Sequence, residues 1–340
     1  MPGGGSTALA NNMRTTCLIN CFNYRDFVGE AVRSALRQTQ PFTQVIIVDD
    51  GSTDGSGSYL EREFGCEPTV TVVRKNNGGQ LSAFHAGTAL AVGDIVFFLD
   101  ADDRYPVTYV EAASTVYQEQ PEIDCVIAAR TFFGHPGKTR IHHRGPSREL
   151  GFSVAATLLD QQWIGGSTSC LSFRRELLHQ ILPYPKEQDW RTRADDVLVY
   201  GSSILGSRKY FLAAPAIEYR LHDENQFAQR KITPAQKLLH GLAVHELLAW
   251  YGEQASRDVR RLPALLHHEF RTKQRPTWHD YRRYMRMVAR GGAPWELRCR
   301  QWLRITGHMI SERRRWSARI PAASRTEPRR IPSPPRCRAA

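Results

Sequence analysis

The 340-residue sequence contains no apolar run approaching the ~20 residues that a helix needs to cross a bilayer, which excludes a helical membrane domain. Its cysteines (Cys17, Cys21, Cys66, Cys125, Cys170, Cys299, Cys337) are odd in number, scattered and without a CxxC pair. That pattern argues against a disulfide framework or a zinc ribbon and fits a reducing cytoplasm. Residues 1–6 have neither a basic start nor an apolar stretch, so no classical secretory signal is expected. Internal repeats are also missing.

Net charge is missing from most of the chain as well. The formal charge is +12, yet residues 271–340 hold 19 Lys+Arg against 4 Asp+Glu, and residues 1–270 hold 27 against 30. A near-neutral body with a basic extension suggests a catalytic unit joined to a segment that attracts anionic surfaces. The hydrophobic share of 41% supplies an ordinary core for one large or two modest domains.

What is present is an alternation of apolar β-like runs with helical periodicity, the pattern of an α/β domain. Strands are expected near 16–22, 44–49, 69–74, 94–99 and 123–129. Helices are expected where Phe27, Val28, Ala31, Val32, Ala35 and Leu36 recur, where Leu81, Phe84, Ala89 and Leu90 recur, and after Pro106. Residues 134–151, rich in Gly, Pro, His and Arg, read as a mobile loop. Beyond it come a helix near 152–160, a strand-like run near 168–173, helices near 174–182 and from Asp195, and strands near 209–213 and 216–221. From Pro234 to about Trp316 the pattern is helical, broken at Pro263, Pro276 and Gly291-Gly292. The final Pro/Arg-rich residues are expected to be disordered.

Two acidic clusters carry the chemistry. The run Val45 to Val48 ends in Asp49-Asp50-Gly51-Ser52-Thr53-Asp54, and the run Ile95 to Leu99 ends in Asp100-Ala101-Asp102-Asp103. Carboxylates have no use in a core buried on both faces, and the carboxyl ends of parallel strands form the ligand crevice of an open sheet. Asp49 and Asp50 can accept a pyrimidine imide N–H or a ribose hydroxyl, whereas Asp54 is read as a helix cap. The carboxylate-X-carboxylate spacing of Asp100 and Asp102 puts both side chains on one face and suits Mg2+ or Mn2+, which take one or two protein carboxylates with phosphate and water. Capping of the helix after Pro106 is the alternative for Asp102 and Asp103. His222, within residues 219–225, ends a strand-like stretch and is a candidate for a metal or phosphate role. Asp195 and Asp196 open a helix and are caps or a general base. Trp163, Gly166, Ser167 and Thr168, in a small-residue stretch, are assigned either to an acceptor site or to a strand entry.

Together these motifs resemble the inverting glycosyltransferases of family 2, which have the GT-A fold, over about residues 15–225. The resemblance rests on Phe22-Asn23-Tyr24, residues 34–39, Val48 to Asp54, Asn77-Gly78-Gly79-Gln80, Asp100 to Asp103 and Tyr219-Arg220-Leu221-His222. It implies a nucleotide-diphospho-sugar transferase fold, a mixed and mostly parallel sheet flanked by helices with a C-terminal helical extension. By the same likeness Asp50 would hold the nucleobase, Asp100 the ribose or diphosphate, Asp102 the metal, and His222 the metal or diphosphate. Phe22, Asp49 and Gln80 would complete the nucleotide side, and Asp195 would be the base. This chain has Ala194 where the family usually has glutamate, with Asp196 following, so both aspartates stay candidates for the catalytic carboxylate.

The expected units are a disordered lead (1–14), the glycosyltransferase domain (15–225), a helical extension (226–316) and a basic disordered tail (317–340). The expected partners are a nucleotide-sugar donor, such as a UDP-sugar, and a glycan or lipid-linked acceptor of polysaccharide or cell-envelope synthesis. Nucleic acid is not expected, because no reading motif accompanies the arginines. The expected location is the cytoplasm, with the basic segment either resting on the anionic inner face of the membrane or forming a packed helical subdomain. Two rival readings remain. A nucleotidyltransferase making sugar nucleotides would open with a Gly-rich basic loop where this chain has Asn23-Tyr24-Arg25-Asp26. A degenerate binding scaffold is disfavoured by intact Asp50, Asp100, Asp102 and Asp195.

Overall fold

β-branched and aromatic runs form the strands, and the amphipathic segments between them form the covering helices. The computed structural model describes residues 13–134, 141–142, 145–222 and 232–319. The first half alternates strictly: β1 (Thr15–Cys21), α1 (Val28–Leu36), β2 (Gln44–Asp49), α2 (Ser56–Phe64), β3 (Val70–Arg74), α3 (Gln80–Leu90), β4 (Ile95–Asp100) and α4 (Tyr109–Glu119). The chain then becomes mixed: β5 (Cys125–Phe133), β6 (Ile141–His142), β7 (Arg148–Gly151), α5 (Val154–Asp160), β8 (Leu171–Arg174), α6 (Arg175–Ile181), α7 (Asp195–Leu205) and β9 (Lys209–Arg220). Four helices follow: α8 (Pro234–Gln254), α9 (Leu266–Arg271), α10 (Trp278–Arg290) and α11 (Trp295–Arg319).

The sheet order is β3-β2-β1-β4-β8-β5-β9-β7, with β6 on β5. β1 is parallel to β2 and β4, β2 is parallel to β3, and β5 is parallel to β9. β8 runs antiparallel between β4 and β5. Alternation along each strand sends Leu18, Ile46, Val48, Val96 and Phe98 into one core with α3, α6 and α7. Cys17, Ile19, Val45, Ile47, Phe97 and Leu99 point into the other, with α1, α2 and α4. β1, β2, β3 and β4 end at the same edge.

Two strand expectations are refined. The runs near 209–213 and 216–221 form one strand, β9, whose pairing with β5 slips in register between Ala128 and Arg130. The run near 168–173 begins with a 3-10 turn, Thr168–Cys170, before β8, because the Cys170 N–H closes onto the Ser167 carbonyl at 2.8 Å. Within the stretch read as a loop, β7 and β6 pair with β9 and β5. The expected boundary at 225–226 falls outside the described residues, as do residues 1–12 and 320–340; α11 carries the helix on to Arg319.

The C-terminal helices share the cores. Capping boxes start α8 (Thr233 with Gln236) and α10 (Thr277 with Asp280). Val244, Leu247, Leu248 and Tyr251 of α8 belong to the same cluster as Val197 and Ile181, and the Tyr251 hydroxyl donates to the Ile181 carbonyl at 2.7 Å. Ala155 and Ala156 of α5 are buried among Leu266, Phe270, Tyr284 and Ile305. Buried Glu269 accepts from the Ala155 and Ala156 N–H groups at 2.6 and 2.9 Å and from the Tyr284 hydroxyl at 2.7 Å. Glu269→Ala leaves two helix-end donors and a phenol without that acceptor, so a loss of about 3 kcal/mol of unfolding free energy is expected in urea melts. An unchanged midpoint would mean that Glu269 does not tie α5 to the extension.

Candidate active site

At the shared strand edge a cavity of about 520 Å³ opens between β1, β2 and β4, the start of α3 and the start of α7. It is of a size that admits a small-molecule ligand. Of the residues singled out in the sequence, Phe22, Asp50, Gln80, Asp100, Asp102, Trp163, Ser167, Thr168, Asp195 and Asp196 line it.

Asp49 and Asp50 part company. Asp49 continues the parity of Val45 and Ile47 and turns to the α2 side, where it accepts from the Ser52 N–H at 3.2 Å and lies 3.8 Å from Arg74. It is not in the cavity wall. Asp50 is buried there and accepts from Lys75 Nζ (2.7 Å), the Gly78 N–H (3.0 Å), the Gly79 N–H (2.7 Å) and Asn77 Nδ2 (3.2 Å). These contacts use about all the acceptor positions of a carboxylate, so Asp50 fastens residues 75–79 into a fixed loop. Arg191, hydrogen-bonded to Asn77, leans over that loop. Asp54 accepts from the Ser56 N–H and hydroxyl at the start of α2 and from the Arg25 N–H, while the N-cap position itself is Gly55.

Gly79 is needed where it stands. Its φ of 92° and ψ of 175° lie in a region open essentially to glycine alone, and a methyl group would run into the Arg191 backbone. Gly79→Ala should lower unfolding free energy by about 1–3 kcal/mol. A melt matching the parent protein would show that the loop relaxes freely.

At the end of β4 three carboxylates crowd together. Burial and the charge of Asp102 push the Asp100 pKa up, against hydrogen bonds from Asn20, Thr168 and Gln80. Burial and the charges of Asp102 and Asp100 drive Asp103 well up too, although Asp103 accepts from the Ser169 hydroxyl at 2.6 Å and the Arg220 N–H at 2.9 Å. Asp102 Oδ2 lies 3.0 Å from His222 Nε2. Arg220 holds this corner: its guanidinium donates to the Asp102 carbonyl at 2.8 Å and to Glu30 at 2.6 Å, which seats the end of β9 beside the acidic turn. Carboxylates whose mutual repulsion raises their own pKa values attract a cation. An adjacent oxygen and imidazole nitrogen offer it two ligands, with no set of three or more His, Cys, Asp or Glu ligands among the described residues.

Across the cavity, Asp195 and Asp196 open α7. Burial, then Asp196 and Asp100, push Asp195 up, with Arg193 pulling the other way. Burial also raises Asp196, but that carboxylate is ion-paired to Arg193 at 2.9 Å and lies 3.4 Å from His240 Nε2 of α8. The helical extension thus reaches the site. Gln80 connects the two walls: its Nε2 donates to Asp100 and to Thr168, each at 3.2 Å, while its Oε1 accepts from the Ala194 N–H at 3.0 Å. Gly166 stands behind the wall, against Cys170 and Ile127.

Sequence reasoning missed several residues that line the cavity or brace it. Arg130, Arg191 and Arg193 face it and Lys75 supports it, while Tyr24 and Tyr219 at the cavity and Asp103 and Arg220 beside it belonged to the sequence motifs without an assigned role in the site. Arg130 had a signal, since it follows the apolar start of β5 as the aspartates follow β2 and β4. For Arg191 and Lys75 the partners, Asn77 and Asp50, are distant in sequence.

The family model described as Glycosyl transferase family 2 matches residues 16–182. The chain is 31% identical over 216 residues to an uncharacterized glycosyltransferase of Nostoc sp., alr2836, covering 63% of this chain and 66% of that protein. It is 35% identical over 107 residues to the chondroitin synthase and the hyaluronan synthase of Pasteurella multocida, covering 32% of this chain and only 11% of each synthase. Among solved structures, S. aureus TarS 1–349, in complexes with UDP and with UDP-GlcNAc, matches with a TM-score of 0.57 at 15% identity. The match covers 90% of this chain and 92% of that one, a likeness of fold.

Proposed function

Because the chain belongs to glycosyltransferase family 2, with residues 16–182 as the matched domain, we propose that it moves a sugar from a UDP-sugar to an acceptor hydroxyl with inversion. The observation that carries this reading is the two-walled cavity, with Asp100 and Asp102 on one wall, His222 behind them against Asp102, and the Asp195 and Asp196 pair on the other wall. The UDP and UDP-GlcNAc complexes of TarS support uridine diphosphate as the donor half.

In this proposal the loop fastened by Asp50, together with Phe22, forms the nucleobase end, and Asp100 meets the ribose or the diphosphate. Asp102 and His222 would hold Mg2+ or Mn2+, which when bound would stabilise the negative charge of the departing diphosphate. Arg191, leaning over the Asp50 loop, adds positive charge on the donor side. Asp195 takes the proton from the acceptor hydroxyl, because Arg193 and His240 are engaged with Asp196. Displacement from the face opposite the diphosphate then inverts the anomeric carbon. Trp163, Ser167 and Thr168 form the acceptor wall of a glycan or lipid-linked substrate. Asp49, turned to the α2 side, supports the turn after β2.

A panel of sugar nucleotides, assayed for metal-dependent release of nucleoside diphosphate with simple glycosides as acceptors, tests the reading. Release from a UDP-sugar, with NMR of the product showing the opposite anomer, is expected. Release with retained configuration, or from no UDP-sugar, would overturn the corresponding part.

A further inference from the structure

The most basic part of the chain also holds the largest side chains left in solvent. Trp278 of α10 is 54% exposed, and Trp295, Trp302, Leu303 and Ile310 of α11 are 66%, 47%, 64% and 48% exposed. Helical geometry places these four α11 residues within a sector of about 100°. The adjoining side of α11 is committed to packing, since Gln301, Ile305 and Met309 are buried. Arg313 stands 5.1 Å from the centre of the Trp278 ring, which joins the start of α10 to the far end of the α11 stripe. Arg300 and Arg314 flank the stripe in solvent, and α10 exposes Arg282, Arg286 and Arg290.

We propose that this face of α10 and α11 docks on a membrane surface bearing anionic lipid headgroups. Indoles and leucines settle at the boundary between headgroups and acyl chains, while arginines meet the phosphates. The packed subdomain and the surface contact are therefore not alternatives, because one side of α11 serves each. Charge decides the occupant. Residues 271–319 carry 14 basic against 3 acidic groups, so a second copy of the same face would set arginine against arginine, whereas an anionic bilayer complements it. None of these residues lies in the cavity, and the inference stands whatever donor the enzyme uses.

The test is co-sedimentation of the full-length protein with vesicles of phosphatidylcholine alone and of phosphatidylcholine with phosphatidylglycerol. Pelleting with the anionic vesicles only is expected, weakened by high salt. The variant Trp295→Ser/Trp302→Ser/Leu303→Ser should bind roughly tenfold more weakly with an unchanged melting temperature and unchanged transfer to a soluble acceptor. Brominated acyl chains should quench tryptophan fluorescence of the unsubstituted protein, a reading of insertion that needs no variant. Equal pelleting with both vesicles, no pelleting, or no quenching overturns the proposal. So does a preference for single-stranded DNA over vesicles, or a dimer in sedimentation velocity that the triple variant dissolves.

Discussion

Asp195→Asn should lower sugar transfer by about 10²-fold or more, the scale of a lost general base, while leaving donor affinity nearly unchanged. Asparagine preserves the size of the side chain and its place at the start of α7, so the fold is retained. The pH profile gives a second reading. Burial and two carboxylate neighbours raise the Asp195 pKa, so the basic form is lost as pH falls through a value above the usual carboxylate range. Activity should fall on acidification through that raised value, and the asparagine variant should lose this limb. Asp196→Asn should have a milder effect, because that carboxylate anchors Arg193 and meets His240 instead of standing free for the acceptor. The reverse ranking would move the base to Asp196. Loss of donor binding in Asp195→Asn would mean that the residue holds the nucleotide.

Asp102→Asn should reduce metal-dependent release of nucleoside diphosphate by about 10²-fold or more, as expected when the charge that stabilises a leaving group is lost. Asp102 sits beyond the end of β4 and meets His222 through its side chain, so the substitution leaves both cores intact. Removing one of three crowded carboxylates also relieves the repulsion on Asp100 and Asp103, and the melting temperature should hold or rise. Wild-type turnover by this variant in excess chelator would remove Asp102 and the cation from the mechanism.

Much of this was legible in the chain because buried parallel strands write themselves as apolar runs, and acidic residues directly after such runs have one place to go. Parity is legible too, for Asp49 and Asp50 as well as for Asp100 and Asp102. Asp50, Asp100 and Asp102 follow the alternation of Ile46, Val48, Val96 and Phe98 toward the α7 side, whereas Asp49 shares the parity of Val45 and Ile47. Counting in twos would have sent Asp49 away from the cavity. What stayed hidden was non-local. Nothing near Asp50 in sequence announces Lys75 or Gly79, and nothing near Asp103 announces Ser169 and Arg220. His240 reaches Asp196 only because α8 packs on α7.

Gln80 gives the enzyme a sense of order. One end of a single amide is spent on Asp100 and Thr168 and the other on the backbone just ahead of Asp195. In the proposed mechanism, a donor that settles against Asp100 is therefore one side chain away from the backbone that carries Asp195. Such a linkage favours a compulsory sequence, nucleotide sugar first and acceptor second.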